Sequence, residues 1–128
     1  MKLSVDASFK YGVYCIADEN TGRVIDIGFL PRRIKTPVNA EIFAISRTLR
    51  RYAKRYRNIV IYNDCKDAIS RLRVGWKHVK IVFKNPNHAD RILKERVLED
   101  IHGVKQSYIN KFATINKYNP KLLIRVRW

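Results

Sequence analysis

The spacing of apolar residues changes once, about a third of the way along the chain, and this change limits the fold more than any other feature. Before it, residues 2–9, 12–17 and 23–30 alternate apolar and polar positions or form short apolar runs, which predicts three strands. Residues 18–22, with Gly22 late in the segment, predict a hairpin loop between the second and third strands. The chain therefore begins as an antiparallel sheet.

Helical spacing follows from residue 38 onward. Apolar residues recur there every three or four positions and predict one stripe of an amphipathic helix: Ile42, Ile45, Leu49, Tyr52 and Tyr56. Residues 59–63 form a short, β-branched apolar run of the kind that is buried in a parallel sheet. Residues 65–73 then predict a short helix.

The second half of the chain completes the predicted order of elements. Residues 74–86 fit either a strand or a loop, and residues 87–117 keep helical spacing, which Gly103 could bend or split. Residues 122–128 alternate like a final strand. We therefore predict a single α/β domain over residues 1–128, with a five-stranded mixed sheet flanked by helices.

The net charge indicates the class of partner. The chain has 27 Lys and Arg against 11 Asp and Glu, a net charge of +16, which exceeds what solubility requires and favours a polyanion. No segment has the length of a membrane span or the order of a signal peptide, so we expect nucleic acid and no membrane. Cys15 and Cys65 are too few for a disulfide framework, and we expect reduced thiols in a cytoplasmic protein.

Positive charge is concentrated in two segments. Residues 47–57 contain basic side chains and no acid, and residues 66–84 contain basic side chains with Asp67 as the one acid. Contacts of such side chains with phosphates give affinity without sequence information. The basic residues predicted to bind nucleic acid are Arg47, Arg50, Arg51, Lys54, Arg71, Arg73 and Lys77.

Three acidic residues stand at special places in the predicted elements. Asp6 lies inside the first strand, Glu41 in the first turn of the first helix, and Asp64 at the carboxyl end of the strand at 59–63. Ligand sites of α/β sheets cluster at such strand ends, and carboxylate oxygens are natural ligands of Mg²⁺ and Mn²⁺. Each acid also has an ordinary structural explanation, which is an edge or turn position for Asp6 and helix capping for the other two.

Three short motifs resemble those of ribonuclease H. Residues 5–8 are VDAS, residues 39–45 are NAEIFAI and residues 62–69 are YNDCKDAI. In that family the first strand carries D-G-S, the first helix carries A-E-x-x-A, and the fourth strand ends in T-D-S. The resemblance covers the predicted element order to about residue 75 and implies a ribonuclease H-like fold.

The same resemblance implies an activity and a set of site residues. Asp6, Glu41 and Asp64 would be the catalytic residues and would hold two Mg²⁺ or Mn²⁺ ions. The implied activity is a metal-dependent endonuclease that hydrolyses the RNA strand of RNA–DNA hybrids. Trp76, next to Lys77, resembles the basic extension with which some members of the family grip the hybrid.

The end of the chain departs from the family pattern. The family places a fourth carboxylate on a helix after the last strand, and a last strand at residues 122–128 leaves no such helix. Asp67 is a candidate replacement. Asp90 matches the family's N-x-x-A-D element only if residues 79–83 are the last strand, and an N-cap role for Asn87 explains the same residues.

Two other functions stay open from the sequence. A non-catalytic nucleic-acid-binding module would have kept the fold and lost the last helix. A structure-selective DNA nuclease, such as a junction resolvase or an integrase, would use Glu95 or Glu99 as a later acid. A second copy of the chain could cover the sheet edge that a missing helix exposes, so a homo-oligomer is an option.

Overall fold

Five strands of the structure, a computed structural model that describes residues 1–98, form one mixed sheet. In the order β3-β2-β1-β4-β5, the first two pairings are antiparallel and the last two are parallel. The strands are β1 (Lys2–Ser8), β2 (Val13–Asp18), β3 (Val24–Phe29), β4 (Ile59–Asn63) and β5 (Val79–Phe83). The predicted α/β class and five-stranded mixed sheet are confirmed. The fifth strand, however, comes from the segment that the sequence left undecided, and residues 122–128 lie outside the described part of the chain.

Two glycines allow the tight turns of the antiparallel half. Gly12 and Gly22 have φ of +69° and +74°, in the left-handed region that side chains with a Cβ rarely adopt. The Gly12 N–H donates to the Ser8 carbonyl at 2.8 Å and closes the first turn. In the second turn, the Asp18 carboxylate accepts from the Asn20 N–H at 2.8 Å.

Helix α1 (Pro37–Tyr52) begins at a well-defined cap. The Thr36 hydroxyl accepts from the Asn39 N–H at 3.1 Å, and Pro37 occupies the first helical position, where no N–H is needed. Glu41 therefore lies beyond the first turn, so its predicted first-turn position was wrong. The helix ends at Tyr52 and Tyr56 is exposed, so the predicted apolar stripe is one residue too long.

The helices lie on both faces of the sheet. Alternate residues of β1 point to opposite faces, and Leu3 and Val5 pack into the core with α1. Helices α2 (Lys66–Arg71) and α3 (His88–Ile92) complete the layers, and a π-helical turn (Leu93–Leu98) follows α3. Helix α3 covers the other face, where the Ala89 N–H donates to the Ser4 hydroxyl at 3.0 Å. The rest of the predicted helix at 87–117 lies outside the described residues.

In residues 1–98, no helix has both the length and the apolar character that crossing a membrane requires.

Candidate metal centre

Parallel pairing of β1 with β4 brings two of the predicted acids to the same end of the sheet. Leu3 and Ser4 lie opposite Ile61 and Tyr62, so continuing this register places Asp6 beside Asp64. Glu41 reaches the same place from α1. One ligand oxygen from each of the three carboxylates lies within 4.8 Å of the other two. The structure thus brings Asp6, Glu41 and Asp64 into one cluster.

Backbone and amide donors hold the Glu41 carboxylate in place. Its Oε1 accepts from the Ala7 N–H at 3.0 Å and from the Asn63 side-chain amide at 3.2 Å. The same amide donates to the Val5 carbonyl at 2.8 Å, and Asn63 Oδ1 accepts from the Cys65 N–H at 2.8 Å. Asn63 therefore links β1, β4 and α1. This role was not predicted from the sequence, although a polar residue that ends a buried apolar run indicates it.

The ordinary structural explanations of the three acids do not fit the structure. Asp6 lies in β1, which is the central strand of the sheet and not an edge. Glu41 lies beyond the first turn of its helix. Cys65 is the N-cap of α2 and no side chain caps that helix, so the alternative of Asp64 as an N-cap was wrong. None of the three carboxylates is explained by a helix cap or a strand edge.

The pKa values of the cluster are raised because negative charges share a buried space. Burial and then the charges of Glu41, Asp64 and Asp90 raise the pKa of Asp6 far above its ordinary value. Burial raises the pKa of Glu41 to about 7, against the hydrogen bond from Asn63, which lowers it. Burial and the charge of Asp90 raise the pKa of Asp64. The cluster therefore carries more negative charge than its protein surroundings neutralise.

A fourth carboxylate, Asp90, faces this cluster from α3. It is buried, and its charge contributes to the raised pKa values of Asp6 and Asp64. The Asn87 side chain caps α3 by accepting from the Asp90 N–H at 2.9 Å, so the predicted cap exists and leaves the Asp90 carboxylate available for the cluster. Asp67, the predicted candidate, is exposed in the first turn of α2 and does not belong to the cluster.

Glu19 anchors the helix that carries Asp90. One of its carboxylate oxygens accepts from the His88 N–H at 2.9 Å and the other pairs with the Lys84 ammonium at 2.7 Å. These contacts tie the start of α3 to the turn after β2. Glu19 was not predicted from the sequence because its contact with His88 joins residues 69 positions apart.

Lys94 is a protein cation at the same site. Its Nζ lies 3.2 Å from Asp90 Oδ2, one helical turn away, and its side chain is largely exposed. The hydrogen bond from Lys94 to Asp90 and the charges of Asp90, Asp6 and Asp64 raise the pKa of Lys94, while slight burial opposes the shift. One exposed ammonium offsets only part of the charge of four carboxylates.

This donor set fits a hard divalent cation. All the converging donors are carboxylate oxygens, which Mg²⁺ and Mn²⁺ prefer, and nitrogen or sulfur ligands typical of zinc sites are not part of the cluster. The raised pKa values point the same way, because a bound cation supplies the missing positive charge. Asp6, Glu41 and Asp64 could hold such an ion, with Asp90 beside them.

Two of the predicted nucleic-acid-binding residues pair with a buried carboxylate, while their own side chains stay partly exposed. Arg51 and Arg47 lie 3.0 Å and 3.8 Å from the Asp26 carboxylate, whose side chain is only 1% exposed. The Tyr14 hydroxyl donates to the same carboxylate at 3.0 Å. Their charges are therefore partly neutralised. The other predicted basic residues are exposed: Arg50, Lys54, Arg71, Arg73 and Lys77.

Trp76 lies at the end of the sheet opposite to the carboxylates. The Val79 N–H donates to its carbonyl at 3.3 Å, and the Ile59 N–H donates to the neighbouring His78 carbonyl at 3.0 Å. Both contacts are at the amino ends of the parallel strands β4 and β5, whereas Asp64 follows the carboxyl end of β4. Trp76 therefore does not belong to the metal centre.

Comparisons with protein-family models, with curated proteins and with solved structures found no match to this chain.

Proposed function

We propose that this chain is a divalent-metal-dependent phosphodiesterase. More particularly, we propose a ribonuclease H-like fold and a ribonuclease H-type endonuclease that hydrolyses the RNA strand of RNA–DNA hybrids. The observation that carries the proposal is the approach of the Asp6, Glu41 and Asp64 carboxylates to within 4.8 Å of one another. The charge of Asp90 on the same cluster supports it.

The proposed mechanism assigns binding and orienting roles to the protein. Asp6 and Asp64 would hold the ions, and the N–H of Ala7 and the amide of Asn63 orient Glu41 for the same task. When bound, two divalent ions supply electrophilic stabilisation of the phosphodiester oxygens and make water acidic enough to attack near neutral pH. The mechanism needs no nucleophilic side chain.

The charge distribution supports a nucleic-acid substrate. A net charge of +16 favours association with polyanions. Arg71 and Arg73 follow Asp64 along the chain on and after α2, and both are exposed. Such residues would bind phosphates and position the strand.

The position of Asp90 weakens the case for a non-catalytic module. The support for that alternative was the lack of a fourth carboxylate. Asp90 provides a fourth carboxylate whose charge acts on Asp6 and Asp64. A structure-selective DNA nuclease would use Asp6 and Asp64 with a later acid; Glu95 is exposed and pairs with Arg91, and Glu99 lies outside the described residues.

The experiment is a cleavage panel with labelled RNA–DNA hybrid, double-stranded RNA, duplex DNA and a four-way junction, each with EDTA, Mg²⁺ or Mn²⁺. We expect cleavage of the RNA strand of the hybrid with either metal and none with EDTA. Preferred cleavage of the junction would instead support the DNA nuclease. Binding of all four substrates without cleavage of any would contradict the proposal.

The Asp64→Asn variant tests whether Asp64 is a metal ligand or only a structural residue. It keeps the size of the side chain and removes the charge that a hard cation needs, so we expect hybrid cleavage to fall at least about 100-fold. Binding to the hybrid in EDTA should persist or improve, since one carboxylate beside the phosphates is gone.

Asp67→Asn is the matched control. It makes the same change three residues away, on an exposed side chain outside the cluster, and should leave the cleavage rate unchanged. A wild-type cleavage rate in Asp64→Asn would contradict the role of Asp64 as a metal ligand. An equal loss of cleavage in both variants would contradict it as well.

A further inference from the structure

A basic groove lies at the end of the sheet away from the metal centre. It has a volume of about 710 Å³, which falls in the range of ligand sites in proteins. We call it the far groove and define it by six residues: Lys54, Arg55, Tyr56, Arg57, Trp76 and His78.

The two walls of the far groove are fixed to each other. One wall is the segment that follows α1, and the other is the segment that leads into β5. His78 Nε2 lies 2.6 Å from the Ala53 carbonyl oxygen, and the His78 carbonyl accepts from the Ile59 N–H at 3.0 Å. The groove is therefore formed by the fold and does not depend on a single loop.

Two aromatic side chains in the groove are unusually accessible. Trp76 is 39% exposed and Tyr56 is 42% exposed, although burial of such rings is favourable. Trp76 packs against His78 at a ring-centroid distance of 5.6 Å in a T-shaped arrangement, and Tyr56 lies 6.0 Å from Tyr52. Each ring is thus supported from one side while much of its surface stays accessible to a ligand.

The charge of the groove has one sign. Lys54, Arg55 and Arg57 are exposed, and within residues 1–98 no acidic side chain lines the groove. This differs from α1, where Asp26 neutralises part of the charge of Arg47 and Arg51. The far groove therefore offers uncompensated positive charge beside accessible aromatic rings.

We propose that the far groove binds an unpaired segment of nucleic acid. Bases would stack on Trp76 and Tyr56, and the basic residues would contact the phosphates, which is how proteins bind single strands without reading sequence. A duplex hides its base faces within the stack, so the aromatic rings favour an unpaired strand. The choice of nucleic acid as the polyanion rests on the proposed function.

The position of the groove adds a prediction about the substrate. Five residues of β4 separate it from Asp64, a distance of roughly 16 Å at the usual rise of a strand. A substrate with a paired region at the metal centre and an unpaired tail could occupy both sites. We expect hybrids with a single-stranded tail to bind more tightly than blunt hybrids of equal paired length.

Tryptophan fluorescence in EDTA tests binding without cleavage. Trp76 and Trp128 are the two tryptophans of the chain, so Trp128→Phe leaves Trp76 as the one reporter. Titration of this variant with unstructured oligothymidine should quench the fluorescence saturably, while heparin, which has no bases, should bind without stacking on the ring. Equal quenching by heparin would overturn the proposal, as would equal quenching of Trp76 by a blunt hybrid and by a hybrid of the same paired length with a single-stranded tail.

Accessibility of Trp76 in the free protein is the second readout. We expect acrylamide to quench the fluorescence of Trp76 readily, and bound oligothymidine to reduce this quenching. Complete protection in the free protein would mean that another part of the chain, or a second copy, occupies the groove, which would overturn the proposal.

Paired variants separate stacking from charge. Trp76→Ala and Tyr56→Ala should each weaken oligothymidine binding by roughly 5- to 150-fold, measured by anisotropy of a labelled strand. The double variant Lys54→Gln/Arg57→Gln should weaken it more than Arg32→Gln/Lys35→Gln, which removes the same charge from exposed residues outside the groove.

Failure of this proposal differs from failure of the proposed function. If both aromatic variants are folded, as judged by thermal unfolding, and keep the wild-type affinity for oligothymidine, the proposal for the far groove is overturned. That result has no bearing on metal-dependent cleavage. Loss of cleavage in Asp64→Asn has no bearing on binding in EDTA, so each outcome refers to one site.

Discussion

Asn63 supports the candidate metal centre at the scale of a single residue. Its side chain makes three hydrogen bonds, to Glu41, to the Val5 carbonyl and to the Cys65 N–H, and it is completely buried. Replacing it leaves the Val5 and Cys65 backbone groups without these partners. The residue therefore couples the stability of the fold to the geometry of the site.

We expect Asn63→Ala to lower the free energy of unfolding by about 1–3 kcal/mol, because buried polar groups lose their partners. The cleavage rate should fall by about 10- to 100-fold, as for other residues that orient metal ligands. Denaturant unfolding and single-turnover cleavage measure the two effects. The control is Asn20→Ala at an exposed turn position, where both should change little; an equally mild effect at Asn63 would refute the coupling.

Residue patterns predicted part of the site before the structure. Asp6, Glu41 and Asp64 were predicted as site residues because each lies in a short motif and at a special position of a predicted strand or helix. The role of Asp90 stayed open in the sequence because an N-cap role for Asn87 explained the same residues. In the structure, Asp90 follows this N-cap and also faces the carboxylate cluster. Glu19 and Asn63 act through contacts between distant segments, which no local pattern reveals.

At the scale of an element, α3 depends on contacts from elsewhere in the chain. It has five residues, too few for a stable isolated helix, and is held by Asn87, by the Ser4 hydroxyl and by Glu19. These contacts hold Asp90 in position at the cluster. The edge strand β5 that precedes it was ambiguous in sequence because its apolar residues lie on both faces of the strand, and Val82 and Phe83 are exposed.

We expect Glu19→Ala to reduce hybrid cleavage by about 10- to 100-fold through loss of the α3 anchor. Divalent-ion binding by Asp6, Glu41 and Asp64 should be retained, since their own contacts are intact. Calorimetric Mn²⁺ titration and the cleavage rate test the two parts. The control Glu95→Ala removes an exposed acid that pairs with Arg91, and it should change neither Mn²⁺ binding nor the cleavage rate. If Glu19→Ala also left both unchanged, Glu19 would not anchor α3.

At the scale of the whole molecule, the clustered carboxylates link stability to pH. Their pKa values are raised, so the folded metal-free protein binds more protons than the unfolded chain above about pH 4. The free energy of unfolding should therefore fall as pH rises from 5 to 8. For Glu41, whose pKa moves from 4.5 to about 7, the loss is on the order of 3 kcal/mol.

Melting temperatures in EDTA at pH 5, 6, 7 and 8 measure this effect, and Mg²⁺ or Mn²⁺ at pH 8 should restore the lost stability. The charges that face Glu41 and Asp6 are Asp64, Asp90 and Lys94. Asp6→Asn should flatten the pH dependence in EDTA and weaken the metal response. An unchanged slope in that variant would show that other groups cause the trend.

The net charge predicts how affinity depends on salt. If the exposed basic residues contact phosphates, the logarithm of the association constant should decrease linearly with the logarithm of salt concentration, by roughly 0.9 per phosphate for a duplex. Arg50→Ala should reduce this slope more than Arg51→Ala, because Asp26 already neutralises part of the Arg51 charge. A salt-insensitive affinity would contradict the polyanion argument.

The strand order β3-β2-β1-β4-β5 also determines when a chain under synthesis assembles its carboxylate cluster. Asn63 meets Val5 across 58 residues and Ala89 meets Ser4 across 85, so the four carboxylates assemble only after long-range contacts form. A nascent or partly unfolded chain already has most of its positive charge. Asp90 takes its place beside the Asp6, Glu41 and Asp64 carboxylates only after it has left the ribosome and α3 has docked, so under the proposed function we expect binding of nucleic acid to precede the capacity to cut.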